Sequence, residues 1–315
     1  MTEMEKSLPN LKRDVPLSGQ TTFRIGGNAK YFVEVGSKEE AERAIAAARE
    51  NGIPFIILGN GSNILVSDRG YDGLVIKMSG RKIISGGDTV IAESGVLLPA
   101  LVLFCARSGL AGLEWASGIP GTVGGAVRGN AGAFGGSMAD AVVEVVAIDA
   151  RTGESTVMKN SECDFNYRES LFKREPDLVI IETKMKLSKD DPEEVQARAK
   201  RYLDYRKERH PREPSAGSVF KAPELSGEKM TEMSERFPDI EKFDGAIPAA
   251  LLIDKCGLKG AKSGGAMVSE LHANFIINIG EATAEDVRSL IYLIKNKIKD
   301  EFGISLEEEI QYVGF

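Results

Sequence analysis

The chain is poor in the residues that build metal centres and disulfide frameworks. Its 315 residues include three cysteines and two histidines. Cys105, Cys163 and Cys256 are far apart and odd in number, which is typical of separate thiols in a reducing compartment. His210 and His272 form no HExxH motif, and no Cys-x-x-Cys pair occurs. No zinc site is therefore expected.

Long hydrophobic runs and basic stripes are also missing. No uninterrupted apolar run reaches the length of a membrane-spanning helix, and residues 1–16 lack the apolar stretch of a signal peptide. The net charge is −7, and no basic stripe with interleaved aromatic residues occurs, which argues against nucleic acid as a partner. We therefore expect a cytoplasmic protein without membrane insertion, and we expect a monomer.

Glycine, in contrast, is abundant, with 34 residues, and it is concentrated in two segments. Residues 118–136 read GIPGTVGGAVRGNAGAFGG, and residues 59–63 read GNGSN directly after the apolar run 53–58. Glycine lets a backbone take positive φ and bring its N–H groups close to a ligand, and rows of N–H groups suit a pyrophosphate. Tight turns between buried strands are the alternative interpretation. The position of the second segment after a strand favours a ligand loop.

Neither segment is a standard phosphate-binding motif. The G-x-G-x-x-G fingerprint does not follow the first strand, and no P-loop occurs. The nearest approach to a P-loop, GLKGAKS at 257–263, lacks the required spacing. A dinucleotide would therefore bind here by a scheme other than that of the Rossmann fold or the P-loop.

Hydrophobic periodicity predicts alternating strands and helices in the first half of the chain. A strand at 31–35 is followed by a capping box at Ser37 and Glu40, a helix to Glu50 and a buried strand at 53–58. This βαβ unit predicts two parallel strands. Further strands are predicted at 74–78, 89–93, 142–149, 178–187 and 309–313, and further helices at 97–109, 192–208 and 283–302.

Five segments, taken in order, resemble the UDP-N-acetylenolpyruvoylglucosamine reductase family. They are GNGSNILVSD at 59–68, GIPGTVGGAVRGNAGAFG at 118–135, YRESLF at 167–172, PSAGSVFKAP at 214–223 and HANFIIN at 272–278. The likeness covers residues 17–314, and five motifs in order are far more specific than any one of them. The first two alone indicate only the wider FAD-binding fold of the vanillyl-alcohol oxidase and p-cresol methylhydroxylase type.

The resemblance implies a mixed α/β fold, with that FAD-binding fold followed by a C-terminal α+β substrate-binding domain. The implied domains are a first FAD-binding subdomain over 1–76, joined by a returning strand at 303–315, a second over 77–188 and a substrate-binding domain over 189–302. The chain is similar to the shorter, type II subtype, because few residues separate Phe172 from the strand at Leu178. The tyrosine that covers the substrate in the longer subtype has no counterpart here.

The resemblance also implies a reaction. NADPH would reduce UDP-N-acetylglucosamine enolpyruvate to UDP-N-acetylmuramate through FAD, in peptidoglycan precursor synthesis. Two alternatives stay open: another FAD-dependent oxidase or dehydrogenase of the same fold acting on a hydroxy acid or alcohol, and a nucleotide-sugar-binding protein without redox activity. Steady-state assays with oxygen and the yellow colour of a flavoprotein distinguish them.

The two glycine-rich segments are assigned to the cofactor by this resemblance. We expect noncovalent FAD, because the FAD-binding half has no histidine and its two cysteines lie outside the glycine-rich motifs. Backbone N–H groups should hold most of it. The implied contacts are Gly59, Asn60, Gly61, Ser62, Asn63, Ile119, Pro120, Gly121, Thr122, Gly124, Gly125, Asn130, Ala131 and Gly132.

Three residues match catalytic positions of the family. Ser218 matches the proton donor to C2 of the enolpyruvyl group. Arg168 would stabilise charge on the carboxylate side, since its planar fork can hold a carboxylate with two hydrogen bonds. Glu309 matches a C-terminal glutamate that could help to place a proton on the carboxylate oxygen if burial raised its pKa.

Without the resemblance, the same three residues also fit roles that involve no catalysis. Arg168 also fits a surface arginine paired with Glu169 or Glu175. Ser218 also fits a hydroxyl in a turn, and Glu309 fits a solvated charge at the entrance of a strand.

Four further residues are candidate substrate contacts. Lys221 lies three residues after Ser218 and is a candidate to stabilise the serine alkoxide. Arg206 belongs to a basic cluster at 206–212 that otherwise fits a solvated helix face, and His272 is expected to be structural. The four candidates are Tyr167, Lys221, Asn274 and Arg206.

Overall fold

The computed structural model describes residues 3–237 and 247–315. The helices in chain order are α1 (Glu3–Ser7), α2 (Lys38–Glu50), α3 (Leu98–Arg107), α4 (Val123–Arg128), α5 (Met138–Ala141), α6 (Leu171–Arg174), α7 (Pro192–Arg209), α8 (Gly227–Arg236), α9 (Ala249–Lys255) and α10 (Ala284–Phe302). The strands are β1 (Lys12–Pro16), β2 (Asn28–Val35), β3 (Phe55–Leu58), β4 (Ile64–Val66), β5 (Tyr71–Met78), β6 (Ile83–Gly86), β7 (Thr89–Glu93), β8 (Leu110–Ala111), β9 (Gly132–Ala133), β10 (Gly136–Ser137), β11 (Val142–Asp149), β12 (Ser155–Lys159), β13 (Leu178–Lys186), β14 (Ser188–Lys189), β15 (Ser215–Ser218), β16 (Lys262–Ser263), β17 (Ala266–Val268), β18 (Phe275–Asn278) and β19 (Gln311–Val313).

The first sheet has the strand order β1-β2-β5-β3. The predicted βαβ unit is present, and its strands β2 and β3 are parallel, but β5 lies between them and pairs in parallel with both. The helix α2 packs its alanine-rich face on this sheet, with Ala44 and Ile45 buried. Its capping differs from the predicted box: Ser37 accepts the N–H of Glu40, whereas the Glu40 carboxylate accepts the N–H of Gly36.

The second sheet is antiparallel, with the order β12-β11-β13-β7-β6. Its strand β13, predicted at 178–187, alternates at its end, because Thr183 and Met185 are buried whereas Lys186 is exposed. The apolar helix α3 and the short helix α4 cover one face of this sheet in one hydrophobic cluster. This packing fixes the glycine-rich segment that contains α4 against the sheet.

The third sheet has the order β15-β18-β17-β16 and is also antiparallel. The long helix α10 covers it with the face that the sequence predicts, including Val287, Leu290 and Ile294. Thr283 and Asp286 form the capping box at its start, and Gly303 ends it with a φ of 66°. Glycine takes that left-handed conformation without steric cost.

Two contacts join the beginning and the end of the chain. The predicted terminal strand is present as β19, which pairs in parallel with β4. Asp68, just after β4, accepts the N–H groups of Ala284 and Glu285 in the first turn of α10. A carboxylate at a helix N-terminus is favourable because it satisfies free N–H groups and interacts with the helix dipole. No helix in the described ranges is long and apolar enough to cross a membrane.

Candidate active site

A cavity of about 2170 Å³ is lined by residues of the first and third sheets and by the glycine-rich segment that packs on the second. Its lining includes both glycine-rich segments, the end of α7 and the strand β15, and Gly118 lies directly against Leu203 and Arg206 of α7. Arg168 and the C-terminal segment close one end of the cavity. The cavity therefore brings together residues from nearly the whole length of the chain, from Gly19 to Val313.

The two glycine-rich segments contact each other directly. The side-chain amide of Asn60 donates to the carbonyl of Pro120. A Cβ at Gly59 would lie 2.4 Å from Thr122 Oγ1, and a Cβ at Gly61, whose φ is 62°, would lie 2.5 Å from the carbonyl of Gln20. A side chain at Gly59 would therefore push the two segments apart, and one at Gly61 would collide with the backbone of residues 20 and 21.

The meeting of these segments leaves a row of hydrogen-bond donors without partners. Within residues 3–237 and 247–315, the backbone N–H groups of Asn60, Gly61, Ser62, Gly121 and Thr122 have no acceptor. All five residues line the cavity. Buried N–H groups are normally satisfied, so this row fits a ligand rich in acceptors such as the pyrophosphate of FAD.

Twelve of the fourteen predicted cofactor residues line the cavity, and two do not. Gly124 donates its N–H to the carbonyl of Ser94, and a Cβ there would lie 2.7 Å from the Ser94 Cβ. Asn130 accepts the N–H of Ala139 and donates to the carbonyl of Asn166. Gly124 therefore permits close packing and Asn130 braces two loops, so neither is retained as a cofactor contact.

Arg168 lies in a tight turn. Asn166 and Glu169 exchange two backbone hydrogen bonds of 3.0 and 3.1 Å, which places Tyr167 and Arg168 at the tip. Arg168 has a φ of 54°. A non-glycine residue pays about 1–2 kcal/mol for the left-handed conformation, and such strain is typical of functional sites. The turn points the arginine side chain into the cavity.

Arg168 and Glu309 form a half-buried ion pair in the cavity. Arg168 Nε lies 2.9 Å from Glu309 Oε1, and the two side chains are 24% and 18% exposed. The Nε–H is not aligned with the carboxylate and has no acceptor in the described part of the chain. Arg168 therefore retains donor capacity for a bound carboxylate.

Burial raises the pKa of Glu309 above its ordinary value. The cation of Arg168 opposes this shift, and those of Lys173 and Lys221 oppose it less, but burial dominates. Glu309 therefore keeps its proton to a higher pH than an exposed glutamate. A protonated carboxyl group can donate a hydrogen bond or a proton to a neighbouring oxygen.

Ser218 lies at the end of β15 and lines the same cavity as Arg168 and Glu309. The backbone N–H of Glu309 donates to the carbonyl of Val219, which brings the C-terminal segment alongside the serine. The structure therefore places the three predicted catalytic residues in one cavity. Gly217, with a φ of 77°, lies within β15 just before the serine, where the pairing with β18 shifts register.

Asn274 does not contact the cavity. Its side-chain amide donates to the carbonyl of Phe220 and accepts the N–H of the same residue, at 2.8 and 3.0 Å. It is only 7% exposed, because it fills a position between two strands where every polar atom needs a partner. We therefore assign Asn274 to fixing the chain after Ser218 and do not retain it as a substrate contact.

Tyr167 and Lys221 lie on the far side of the turn, beside a smaller cavity of about 470 Å³. The Tyr167 hydroxyl accepts the N–H of Ala222, and the Lys221 ammonium pairs with Glu307. Neither residue lines the large cavity. Lys221 is therefore not retained as the group that stabilises a Ser218 alkoxide, and Tyr167 is not retained as a substrate contact.

Arg206 lines the large cavity, as do the neighbouring cations Lys207, Arg209 and Arg212. The basic cluster is thus a cavity wall and not only a solvated helix face. Burial and the cation of Arg168 lower the pKa of Arg206. Its guanidinium lies 5.2 Å from the ring centroid of Phe134. A cluster of cations in an acidic protein suits a polyanionic ligand.

Sequence reasoning missed the histidines of this wall. His210 and His272 both line the cavity, with ring centroids 5.4 Å apart. Burial lowers the pKa of His210 to about 4, so its ring is neutral near pH 7. His272 Nδ1 is buried and has no partner in the described ranges. No local motif marks this pair, because the two residues are 62 positions apart in the chain.

Comparisons with known proteins agree with this geometry. Residues 29–158 match the family model described as FAD binding domain, and residues 209–313 match that of UDP-N-acetylenolpyruvoylglucosamine reductase, C-terminal domain. The expected combination of an FAD-binding fold with a C-terminal domain is confirmed. Together with the cradle of free N–H groups, these matches define a flavin-dependent oxidoreductase.

Full-length relatives identify the family. A protein of Carboxydothermus hydrogenoformans with the name UDP-N-acetylenolpyruvoylglucosamine reductase is 42% identical, over 98% of this chain and 95% of its own. One of Solibacter usitatus with the same name is 37% identical, over 98% of both chains. The crystal structure of the corresponding reductase from Thermus caldophilus superposes with a TM-score of 0.77 and 35% identity, over 96% of this chain and 98% of that chain. The chain belongs to the UDP-N-acetylenolpyruvoylglucosamine reductase family.

The backbone at Arg168 leads to a first prediction. Arg168→Gly and Arg168→Ala both remove the ion pair with Glu309, but only glycine takes a positive φ without cost. We expect the glycine variant to have the higher free energy of unfolding, by about 1 kcal/mol, with the low activity of the alanine variant. Urea titrations of the two variants measure the difference. Equal stabilities would show that residue 168 does not take the left-handed conformation in solution.

The pKa of Glu309 leads to a second prediction. Because the folded pKa is raised, the unfolded chain loses this proton at a lower pH than the folded protein does. Stability from Glu309 is therefore full below its ordinary pKa and declines as the pH rises through the folded value. The free energy of unfolding of the wild type minus that of Glu309→Gln should decrease with pH over this window. Urea unfolding at several pH values tests this, and an increase would show that Arg168 outweighs burial.

Proposed function

We propose that this protein reduces UDP-N-acetylglucosamine enolpyruvate to UDP-N-acetylmuramate with NADPH, as a cytoplasmic monomer that binds neither nucleic acid nor membrane. The observation that carries the proposal is the convergence of Ser218, Arg168 and Glu309 in one cavity that the glycine-rich cradle also lines. The names of the full-length relatives support the substrate. The domain limits 1–76 with 303–315, 77–188 and 189–302 form part of the proposal.

The reaction adds a hydride to C3 and a proton to C2 of the enolpyruvyl double bond. FAD, when bound, supplies the hydride chemistry between NADPH and C3. The cradle residues Asn60 to Ser62 and Gly121 to Thr122 would hold the cofactor with their free N–H groups. Gly61, with no side chain, lets this loop pack closely against Gln20 and Thr21.

The chain's own side chains supply the remaining tasks. Arg168 holds the carboxylate of the enolpyruvyl group and stabilises the negative charge that develops on it. Glu309, whose pKa is raised by burial, donates a hydrogen bond or a proton to the same carboxylate when it is protonated. Ser218 holds the proton that is delivered to C2. The basic wall that includes Arg206 would attract the diphosphate of the substrate.

Noncovalent binding of FAD is a testable part of this proposal. The cradle offers hydrogen bonds and no nucleophile, so denaturation should release the cofactor. Heat or acid should leave free FAD in the supernatant, and its absorbance near 450 nm in solution measures the yield. Flavin that stays with the precipitated protein, or a colourless purified protein, would contradict the proposal.

Ser218→Ala should separate the two half-reactions. Reduction of bound flavin by NADPH needs no proton from Ser218, so it should proceed at close to the normal rate. Reoxidation by the enolpyruvyl substrate should slow by about 10²-fold or more, which is the usual contribution of a general acid. Anaerobic stopped-flow absorbance follows both steps on one sample.

Two companion variants sharpen this test. Ser218→Cys should recover part of the second step, because a thiol is a stronger acid than an alcohol. Ser215→Ala is the matched control on the same strand, since the Ser215 hydroxyl accepts the N–H of Gly217 and is not proposed to transfer a proton. Equal slowing of both half-reactions in Ser218→Ala would indicate a defect in folding or FAD binding. An undiminished second step would remove Ser218 from the mechanism.

A further inference from the structure

We propose that Lys173 is a positioning residue that holds Arg168 in the orientation required for the reaction, an inference that rests on the proposed function. Lys173 Nζ donates to the carbonyl of Arg168 at 2.9 Å. The lysine lies on α6 and lines neither cavity. It therefore acts through Arg168 and not on the substrate.

The turn that carries Arg168 needs such support. Its only internal ties are the two backbone hydrogen bonds between Asn166 and Glu169, and the φ of 54° at Arg168 is unfavourable for a side chain with a Cβ. A strained conformation persists only where its surroundings over-determine it. The ammonium of Lys173 fixes the carbonyl of this strained residue with a charge-assisted hydrogen bond. The peptide plane after Arg168 therefore cannot rotate without breaking that bond.

The lysine is itself held in place. It is only 17% exposed, and its ammonium lies 3.5 Å from Glu169 Oε2. The helix α6 is anchored on both sides, by Phe172, which is 1% exposed, and by Ser170, whose hydroxyl donates to the carbonyl of Arg128 at 2.7 Å. A buried cation is costly unless it is paired, so the burial of Lys173 indicates a specific task and not a solvated side chain.

Lys173 also contributes to the electrostatics of the site. The cations that face Glu309 are Arg168, Lys173 and Lys221, and each opposes the rise in pKa that burial causes. Loss of the lysine should therefore raise the pKa of Glu309 further. The pKa of Glu309 can therefore be used to test the inference, because loss of a lysine with a purely structural role would leave it unchanged.

The test uses three variants of the full-length, flavin-loaded protein. Lys173→Met removes the ammonium and keeps most of the stem, and Lys173→Arg keeps a cationic donor. Arg174→Met is the matched control, because it removes a cation from the same helix, where Arg174 pairs with the exposed Asp164. Flavin content, thermal midpoint and both half-reactions are measured for each variant and for the wild type.

We expect Lys173→Met to reduce its flavin normally with NADPH and to reoxidise with the enolpyruvyl substrate about 10- to 100-fold more slowly, the cost of a misplaced catalytic group. The rate of reoxidation should fall with rising pH as Glu309 loses its proton, and in this variant the fall should move to higher pH. Lys173→Arg should restore both the rate and the pH profile in large part. Arg174→Met should match the wild type.

Several outcomes would overturn the inference. They are an undiminished reoxidation in Lys173→Met, an unshifted pH profile, equal slowing of both half-reactions with loss of flavin, or an equal effect of Arg174→Met. Failure of the proposed function is distinguishable from these, because the wild type would then bleach with NADPH and not recover with the enolpyruvyl substrate.

Discussion

The ion pair between Arg168 and Glu309 is the constraint on which the rest of the site depends. It joins a strained turn, which follows the second glycine-rich segment, to a C-terminal segment that lies 141 positions further along the chain. Both charges are mostly buried, and each alone would be costly to desolvate. The fold must therefore bring both side chains into the cavity as a pair. Burial raises the pKa of the glutamate while the arginine opposes the rise.

Hydrogen bonds of the C-terminal segment hold Glu309 in position beside Arg168. The side-chain amide of Asn63 donates to the carbonyl of Glu309 at 3.1 Å, and the N–H of Gln311 donates to the carbonyl of Asn63 at 3.0 Å. On its other side, the N–H of Glu309 donates to the carbonyl of Val219. One short stretch of chain is thus bonded both to the glycine-rich cradle and to the strand of Ser218. The proposed cofactor contacts and the proposed acid groups therefore share a single scaffold, which favours the precise spacing that hydride and proton transfer require.

Most of the fold and part of the site follow from the sequence. The strand at 142–149, the helix near 192–208 and the returning strand near 311 are set by local periodicity and turn residues, so they were predictable. The role of Asn274 was not predictable. Its side chain bonds both to the N–H and to the carbonyl of Phe220, and nothing local shows that a polar side chain in the turn before a strand faces the chain and not the ligand. Lys221 was misplaced for a similar reason. Three residues along an irregular strand end do not fix which side of the chain a long side chain takes, and the pairing with Glu307 decides it.

Arg168 shows why local rules fail where chemistry matters most. Glycine would fit the backbone of its turn with less strain, because glycine takes positive φ freely. The proposed reaction, however, needs a planar cation at the tip of the turn. The neighbouring bonds resolve this conflict: Asn130 ties down the carbonyl of Asn166, and Lys173 ties down that of Arg168. A sequence scan for turn residues would place glycine at this position. An arginine at this position, with two polar side chains bonded to its turn, is the kind of conflict with local propensity that the proposed role of Arg168 would explain.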